Sequence, residues 1–211
     1  MSYQIKEVFY SLQGEGVHTG RPAIFCRFSQ CNLWTGREQD RNNAICSFCD
    51  TDFVGTDGQN GGRFEDAQAL TRHLLSFWPT SSPQHPFVVL TGGEPLLQVD
   101  QALINEMHQH QVEIAIETNG TKLPPDGIDW ICVSPKAGAP WILTEGDELK
   151  LVYPQVDLLP NKIPLTGFKH FYLQPMDGDQ QSKNLQSAIK FCLQHPEWKL
   201  SLQTHKIMNI D

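Results

Sequence analysis

Cys31, Cys46 and Cys49 carry the first chemical signal in this chain. They stand in the order C-x14-C-x2-C, and the last pair encloses Ser47 and Phe48. Thiolates are soft ligands suited to iron–sulfur clusters and to zinc. Three of them can hold a four-iron cluster and leave one iron without a protein ligand, whereas ordinary cluster sites close with four. An open coordination position separates a metal site that does chemistry from one that only holds structure. The competing reading is a zinc site that uses one histidine, such as His18. A lone C-x2-C pair favours zinc, and the third cysteine together with the motifs below reverses that preference.

Other residues able to do chemistry recur after short apolar runs. Gly92-Gly93-Glu94-Pro95 follows Phe87-Val88-Val89-Leu90-Thr91, and two glycines in a turn let backbone come close to a ligand. Glu117-Thr118-Asn119-Gly120, Ser134-Pro135-Lys136 and Gln174-Pro175-Met176-Asp177 occupy similar positions. In Ile24-Phe25-Cys26-Arg27-Phe28, alternation sets Phe25 and Arg27 opposite Ile24, Cys26 and Phe28. An arginine inside an apolar strand needs a partner, and its fork matches a carboxylate, either a ligand's or that of a buried glutamate such as Glu117. Cys26, Cys132 and Cys192 read as packing residues. Phe9-Tyr10-Ser11-Leu12-Gln13-Gly14-Glu15-Gly16 opens the chain as a Gly-rich turn or a ligand contact, and Asp50-Thr51 follows the last cysteine.

The elements that must position these groups are strands and helices in alternation. Strands are expected at 23–28, 87–91, 113–118, 130–133, 148–152, 167–173 and 199–203, and helices at 66–77, 100–110 and 182–195. Phe87–Leu90 is apolar on both faces, as expected of a strand covered on both sides. Strand–helix–strand order implies parallel pairing with right-handed crossovers. So few helices do not make an eight-fold barrel, and the expected fold is α/β, a partial, open parallel α/β barrel. In such sheets ligands bind at the carboxyl ends of the strands, where the unusual residues fall. The loops at 32–45 and 56–63 do not read as linkers, so residues 1–211 are expected to form a single domain with an insert at about 32–45.

Composition sets outer limits. A chain of 211 residues suits one compact domain that needs no staple. Sixteen Lys and Arg against twenty-four Asp and Glu give a net charge of -8, which argues against a broad nucleic-acid surface. The first residues have no basic segment followed by an apolar run, and no stretch is long enough to span a bilayer. The expected compartment is the reducing cytoplasm, where paired cysteines bind metal or do redox chemistry.

On Cys31, Cys46, Cys49, Phe48, Gly92–Pro95 and Phe9–Gly16, the chain resembles the radical S-adenosylmethionine superfamily, and within it the 7-carboxy-7-deazaguanine synthases. The likeness covers nearly the whole length and implies a reduced radical enzyme core. The superfamily's usual spacing is C-x3-C-x2-C. The long insert departs from it, as in some members of this branch.

The resemblance implies a 4Fe-4S cluster on Cys31, Cys46 and Cys49, whose open iron chelates S-adenosyl-L-methionine, and Mg2+ on Thr51. It implies cofactor contacts from Phe48, Gly93, Glu117, Asn119, Ser134, Pro135, Lys136, Gln174, Pro175, Met176 and Asp177, with Glu94 adding a negative field. It implies substrate contacts from Leu12, Gln13, Gly14, Glu15, Arg27, Thr91, His205 and Asp211. The implied reaction, a carbon–nitrogen lyase step, contracts the ring of 6-carboxy-5,6,7,8-tetrahydropterin with loss of ammonia. The product, 7-carboxy-7-deazaguanine, feeds 7-deazapurine and queuosine biosynthesis. The implied partners are the carboxypterin and a flavodoxin or ferredoxin as reductant, with a homodimer left open and neither nucleic acid nor membrane. Two other readings stand beside it: another radical enzyme, such as a glycyl-radical activase, and a non-enzymatic zinc or iron–sulfur module.

Overall fold

The computed structural model describes residues 2–210. Among them a nine-stranded open sheet runs in the order β3-β1-β2-β4-β5-β6-β7-β8-β9. The strands are β1 (Tyr3–Leu12), β2 (Pro22–Phe28), β3 (Gly62–Phe64), β4 (Phe87–Gly92), β5 (Glu113–Thr118), β6 (Trp130–Val133), β7 (Gly146–Tyr153), β8 (Phe168–Pro175) and β9 (Lys199–Leu200). From β2 onward every neighbouring pair is parallel. The expected partial α/β barrel is therefore present, with an antiparallel edge in which β1 pairs with both β2 and β3.

That edge departs from the sequence expectation. The sequence pattern shows no strand before residue 23, and 56–63 reads as a loop. The reason is that β1 lacks clean alternation. Its register slips between Ile5 and Glu7, and Lys6 and Glu7 sit in mid-strand. Lys6 is tolerated there because its ammonium reaches Asp52 at 2.9 Å and Asp57 at 2.8 Å. At the other edge β9 has two residues rather than five, and the chain turns into α4 (Thr204–Met208).

Helices α1 (Ala67–Leu75), α2 (Gln101–Gln109) and α3 (Gln181–Gln194) cover the outer face. Asp66 and Asp100 precede α1 and α2 as caps, their carboxylates accepting the N–H of Ala69 and Leu103 at 2.8 and 3.0 Å. Ile24, Cys26 and Phe28 join the outer core with Leu70, Leu103 and Met107. Phe25 points the other way, into a small inner cluster with Phe9, Phe87, Val89 and Ala115. The period-two reading of β2 therefore holds, and it turns Arg27 inward above that cluster. No described helix is long and apolar enough to cross a membrane.

Candidate active site

The inner apolar cluster fills only the lower part of the open barrel. Above it, at the carboxyl ends of the parallel strands, lies a cavity of about 460 Å³. Cys31, Cys46 and Cys49 line it, together with Phe48 and Thr51. Gly93, Ser134, Lys136, Gln174, Pro175, Met176 and Asp177 line it from the ends of β4, β6 and β8. Leu12, Gln13, Gly14, Glu15, Arg27, Thr91, Glu117, Asn119 and His205 also line it. Of the expected site residues, Pro135 is buried outside the lining, and its carbonyl accepts a hydrogen bond from the Gln155 amide at 3.3 Å. It fixes the turn between Ser134 and Lys136 rather than facing the cavity. Asp211 lies outside the described residues.

The cysteine loop is held by its surroundings. The backbone N–H groups of Gly93 and Glu94 donate to the carbonyls of Phe28 and Gln30 at 3.2 and 2.9 Å. A Cβ on Gly93 would stand 2.6 Å from the Gln30 carbonyl carbon and 3.0 Å from the Cys31 Cβ. The glycine therefore lets the segment entering Cys31 lie against the end of β4, a closer constraint than ligand approach alone. Glu94 is fully buried and does not line the cavity. Its carboxylate accepts Leu96 N–H at 3.0 Å, the Thr118 hydroxyl at 2.8 Å and Asn119 N–H at 2.8 Å. The expected field of Glu94 thus acts from behind the wall, and its main work is to brace the ends of β4 and β5. Burial pushes its carboxyl above the ordinary value against those three donors.

The three cysteines fit an iron–sulfur cluster by donor type and by environment. All six cysteines are free thiols. Hydrogen bonding from the Cys46 thiol pulls Cys49 down to about 6, while the same contact and burial push Cys46 up. Burial raises Cys31. Metal binding would deprotonate the thiols that burial raises. Among the described residues, no group of three or more His, Cys, Asp or Glu side chains is arranged to hold a single metal ion. His18, the histidine of the zinc alternative, sits away from the cysteines, its ring 4.4 Å from Trp130 and 5.2 Å from Phe87.

Opposite the cysteines a buried ionic group lines the other wall. Lys150 Nζ lies 2.5 Å from Glu15 Oε2 and 2.8 Å from Glu117 Oε2. Gln13 donates from Nε2 to Glu117 at 3.1 Å. Burial alone would lower Lys150, yet Glu117 and Glu15 together raise it well above its ordinary value. Burial would likewise raise Glu15, and Lys150 holds it low. Glu148, two residues from Lys150 on the same strand face, accepts the Val17 N–H at 3.0 Å, and burial raises its carboxyl. Cys132 faces Glu148 at 3.7 Å, so it borders this polar group rather than serving only as packing. Glu117, expected among the cofactor contacts, shares its bonds with Gln13 and Lys150 of the opposite wall.

Arg27 finds its partner in Glu7, with Nε 2.7 Å from Oε1, and not in Glu117. The pair is partly open, at 20% and 25% side-chain exposure, and both residues line the cavity. The guanidinium therefore keeps donors free toward the interior. Thr51 stands between two engaged carboxylates. Asp50 meets Lys206 at 2.7 Å, and Asp52 meets Lys6. Sequence reading missed Glu7, Lys150, Glu148 and Lys206. For Lys150 the signal was present in Glu148-Leu149-Lys150-Leu151-Val152, a cation inside an apolar strand like Arg27.

No family model matches the chain. Curated relatives do. The 7-carboxy-7-deazaguanine synthase of Bordetella pertussis is 56% identical over 210 residues, covering 100% of both chains. That of Caulobacter vibrioides is 55% identical over the same length with the same coverage. Among solved structures, QueE from Escherichia coli superposes with a TM-score of 0.70 at 25% identity, covering 96% of this chain and 94% of that one.

Proposed function

The chain belongs to the 7-carboxy-7-deazaguanine synthase family of radical S-adenosylmethionine enzymes, and from that premise we infer how its residues serve the reaction. It contracts the ring of 6-carboxy-5,6,7,8-tetrahydropterin to 7-carboxy-7-deazaguanine with loss of ammonia, a lyase step of queuosine biosynthesis. The observation that carries this reading is that the three cysteines open onto one cavity with Arg27 and the Gln13–Glu15 turn. A glycyl-radical activase would have no use for such a carboxylate-binding wall.

Cys31, Cys46 and Cys49 would hold the 4Fe-4S cluster, which together with S-adenosyl-L-methionine would supply radical chemistry to the cavity. Gly93, Asn119, Ser134, Lys136 and Gln174–Asp177 form the cofactor wall. Lys136 is an ammonium suited to a carboxylate, although burial pulls it below its ordinary value. Arg27 takes the pterin carboxylate with the donors that Glu7 leaves free. The Thr51 hydroxyl offers Mg2+ an oxygen ligand, since Lys206 and Lys6 occupy the flanking carboxylates. Glu15 and Glu117, both paired with Lys150, accept the N–H groups of the aminopyrimidinone ring. Thr91 and Leu12 shape the floor, and α4 with His205 closes one side against water. Residues 1–211 act as one domain, in the cytoplasm, and draw one electron from a flavodoxin or ferredoxin.

The test is anaerobic reconstitution with iron and sulfide, then incubation with the carboxypterin, S-adenosyl-L-methionine and dithionite. Product of the contracted mass with equimolar ammonia is expected. Cofactor cleavage with no pterin turnover would favour another radical enzyme, and a spectrum unmoved by S-adenosyl-L-methionine would favour a closed metal module.

A further inference from the structure

The insert between the first two cysteines folds back onto the last two. A 3₁₀ turn over Glu38–Asn43 carries Arg41. Arg41 Nη1 donates to the carbonyls of Ser47 and Cys49 at 2.8 and 3.0 Å. Its remaining edge meets Glu38 through two bonds of 2.7 and 2.6 Å. The guanidinium lies 4.1 Å over the Trp34 ring. Trp34 is buried and lines the cavity, standing edge-on to Phe53 at 5.6 Å. A chain of contacts thus runs from the cavity wall through Trp34 and Arg41 to the Cys46–Cys49 turn.

We propose that Arg41 is a positioning residue for the iron–sulfur cluster: its guanidinium clasps the turn bearing Cys46 and Cys49 and sets it in ligating form. The proposal rests on the reading that these cysteines hold the cluster. Fourteen residues separate Cys31 from Cys46, and the entropy of closing a loop grows with its length. A longer span therefore needs a restraint that a three-residue spacing does not. The planar fork suits this task, because it can bind two carbonyls and one carboxylate at once, which a lysine ammonium cannot do with the same geometry. The charges of Cys46 and Cys49 also act on Arg41, and a cation so placed would favour the more negative, reduced cluster.

The experiment compares wild type, Arg41→Ala, Arg41→Lys, Glu38→Gln and the exposed neighbour Arg37→Gln after anaerobic reconstitution. Iron loss to a chelator, the electron paramagnetic resonance spectrum of the dithionite-reduced cluster and its midpoint potential are read, with thermal unfolding of the apoproteins as control. Arg41→Ala should lose iron about tenfold faster, the change expected when a charge-assisted hydrogen bond is lost. Its potential should fall and its spectrum broaden, while apoprotein unfolding stays near wild type. Arg41→Lys and Glu38→Gln should fall between, and Arg37→Gln should match wild type. Equal iron retention and an unchanged spectrum in the Arg41 variants overturn the clasp, and if Arg41→Ala does not fold, Arg41→Lys and Glu38→Gln decide alone. Should wild type itself bind no cluster responsive to S-adenosyl-L-methionine, the cluster reading falls and the clasp with it. A wild type that binds it beside Arg41 variants that hold it as firmly removes the clasp only.

Discussion

Gly14 and Thr204 are joined twice: the Gly14 carbonyl accepts the Thr204 N–H at 3.0 Å and its hydroxyl at 2.9 Å. This pair ties the turn after β1 to the start of α4, across most of the chain's length. Lys206, two residues on, meets Asp177 and, after the last cysteine, Asp50. The C-terminal segment thereby spans the cavity mouth from the proposed substrate turn to the proposed cofactor loop.

A side chain at Gly14 should disturb this closure. A Cβ there would stand 2.9 Å from the His205 backbone nitrogen and press into its ring. Gly14→Ala is expected to raise KM for the carboxypterin by on the order of tenfold to a hundredfold, the scale of small misplacements in a site. Affinity for S-adenosyl-L-methionine should change little. Steady-state kinetics with each substrate varied would check this, and parallel losses would detach α4 from the pterin side.

Lys150 holds two carboxylates that would otherwise repel each other in a buried wall. Lys150→Met should cost about 3–5 kcal/mol, because it leaves buried charge without a partner. Urea unfolding measures the loss. Adding Glu15→Gln to that variant should recover part of it, and a double variant no more stable than the single one would contradict the assignment.

Glu148 makes a pH prediction with a definite sign. Burial raises its carboxyl above the ordinary 4.5. Below that value folded and unfolded chains are both protonated. Between it and the folded value the unfolded chain has ionised and the folded chain has not, so this group's contribution to stability falls as pH rises. Glu148→Gln removes that slope. The stability of the variant relative to wild type should therefore grow from pH 4.5 upward, seen in unfolding midpoints across pH. A difference that stays flat would show that Glu148 ionises alike in both states.

Arg27→Ala should weaken carboxypterin binding by about tenfold to a hundredfold, the worth of a hydrogen bond to a charged group. Glu7→Gln should not weaken it, because it frees the guanidinium from the 2.7 Å pair that competes for it. Isothermal titration with the pterin and with S-adenosyl-L-methionine separates the two ligands, and a drop in both would remove Arg27 from the substrate side.

Thr51→Ala should flatten the dependence of the rate on Mg2+ concentration, while Thr51→Ser, which keeps the hydroxyl, should retain it. An identical magnesium titration for wild type and Thr51→Ala would take the ion away from this residue.

Much of this protein was legible without coordinates. The C-x14-C-x2-C spacing singled out three cysteines that line one cavity, and the alternation in β2 turned Arg27 inward, because both signals are local and set by residue type and backbone period. Apolar runs such as Phe87–Leu90 marked buried parallel strands for the same reason. What only the tertiary structure decided is who meets whom. Nothing near Glu7 in sequence announces Arg27, and nothing near Arg41 announces the Ser47 and Cys49 carbonyls, since free donors inside a short loop have many candidate acceptors. The strand β1 stayed hidden because its mid-strand charges are satisfied by distant groups, Lys6 by Asp57 and Glu7 by Arg27, and its register slips. Pairing of charges depends on long-range closure, and a one-dimensional pattern holds the need for a partner without holding the partner's address.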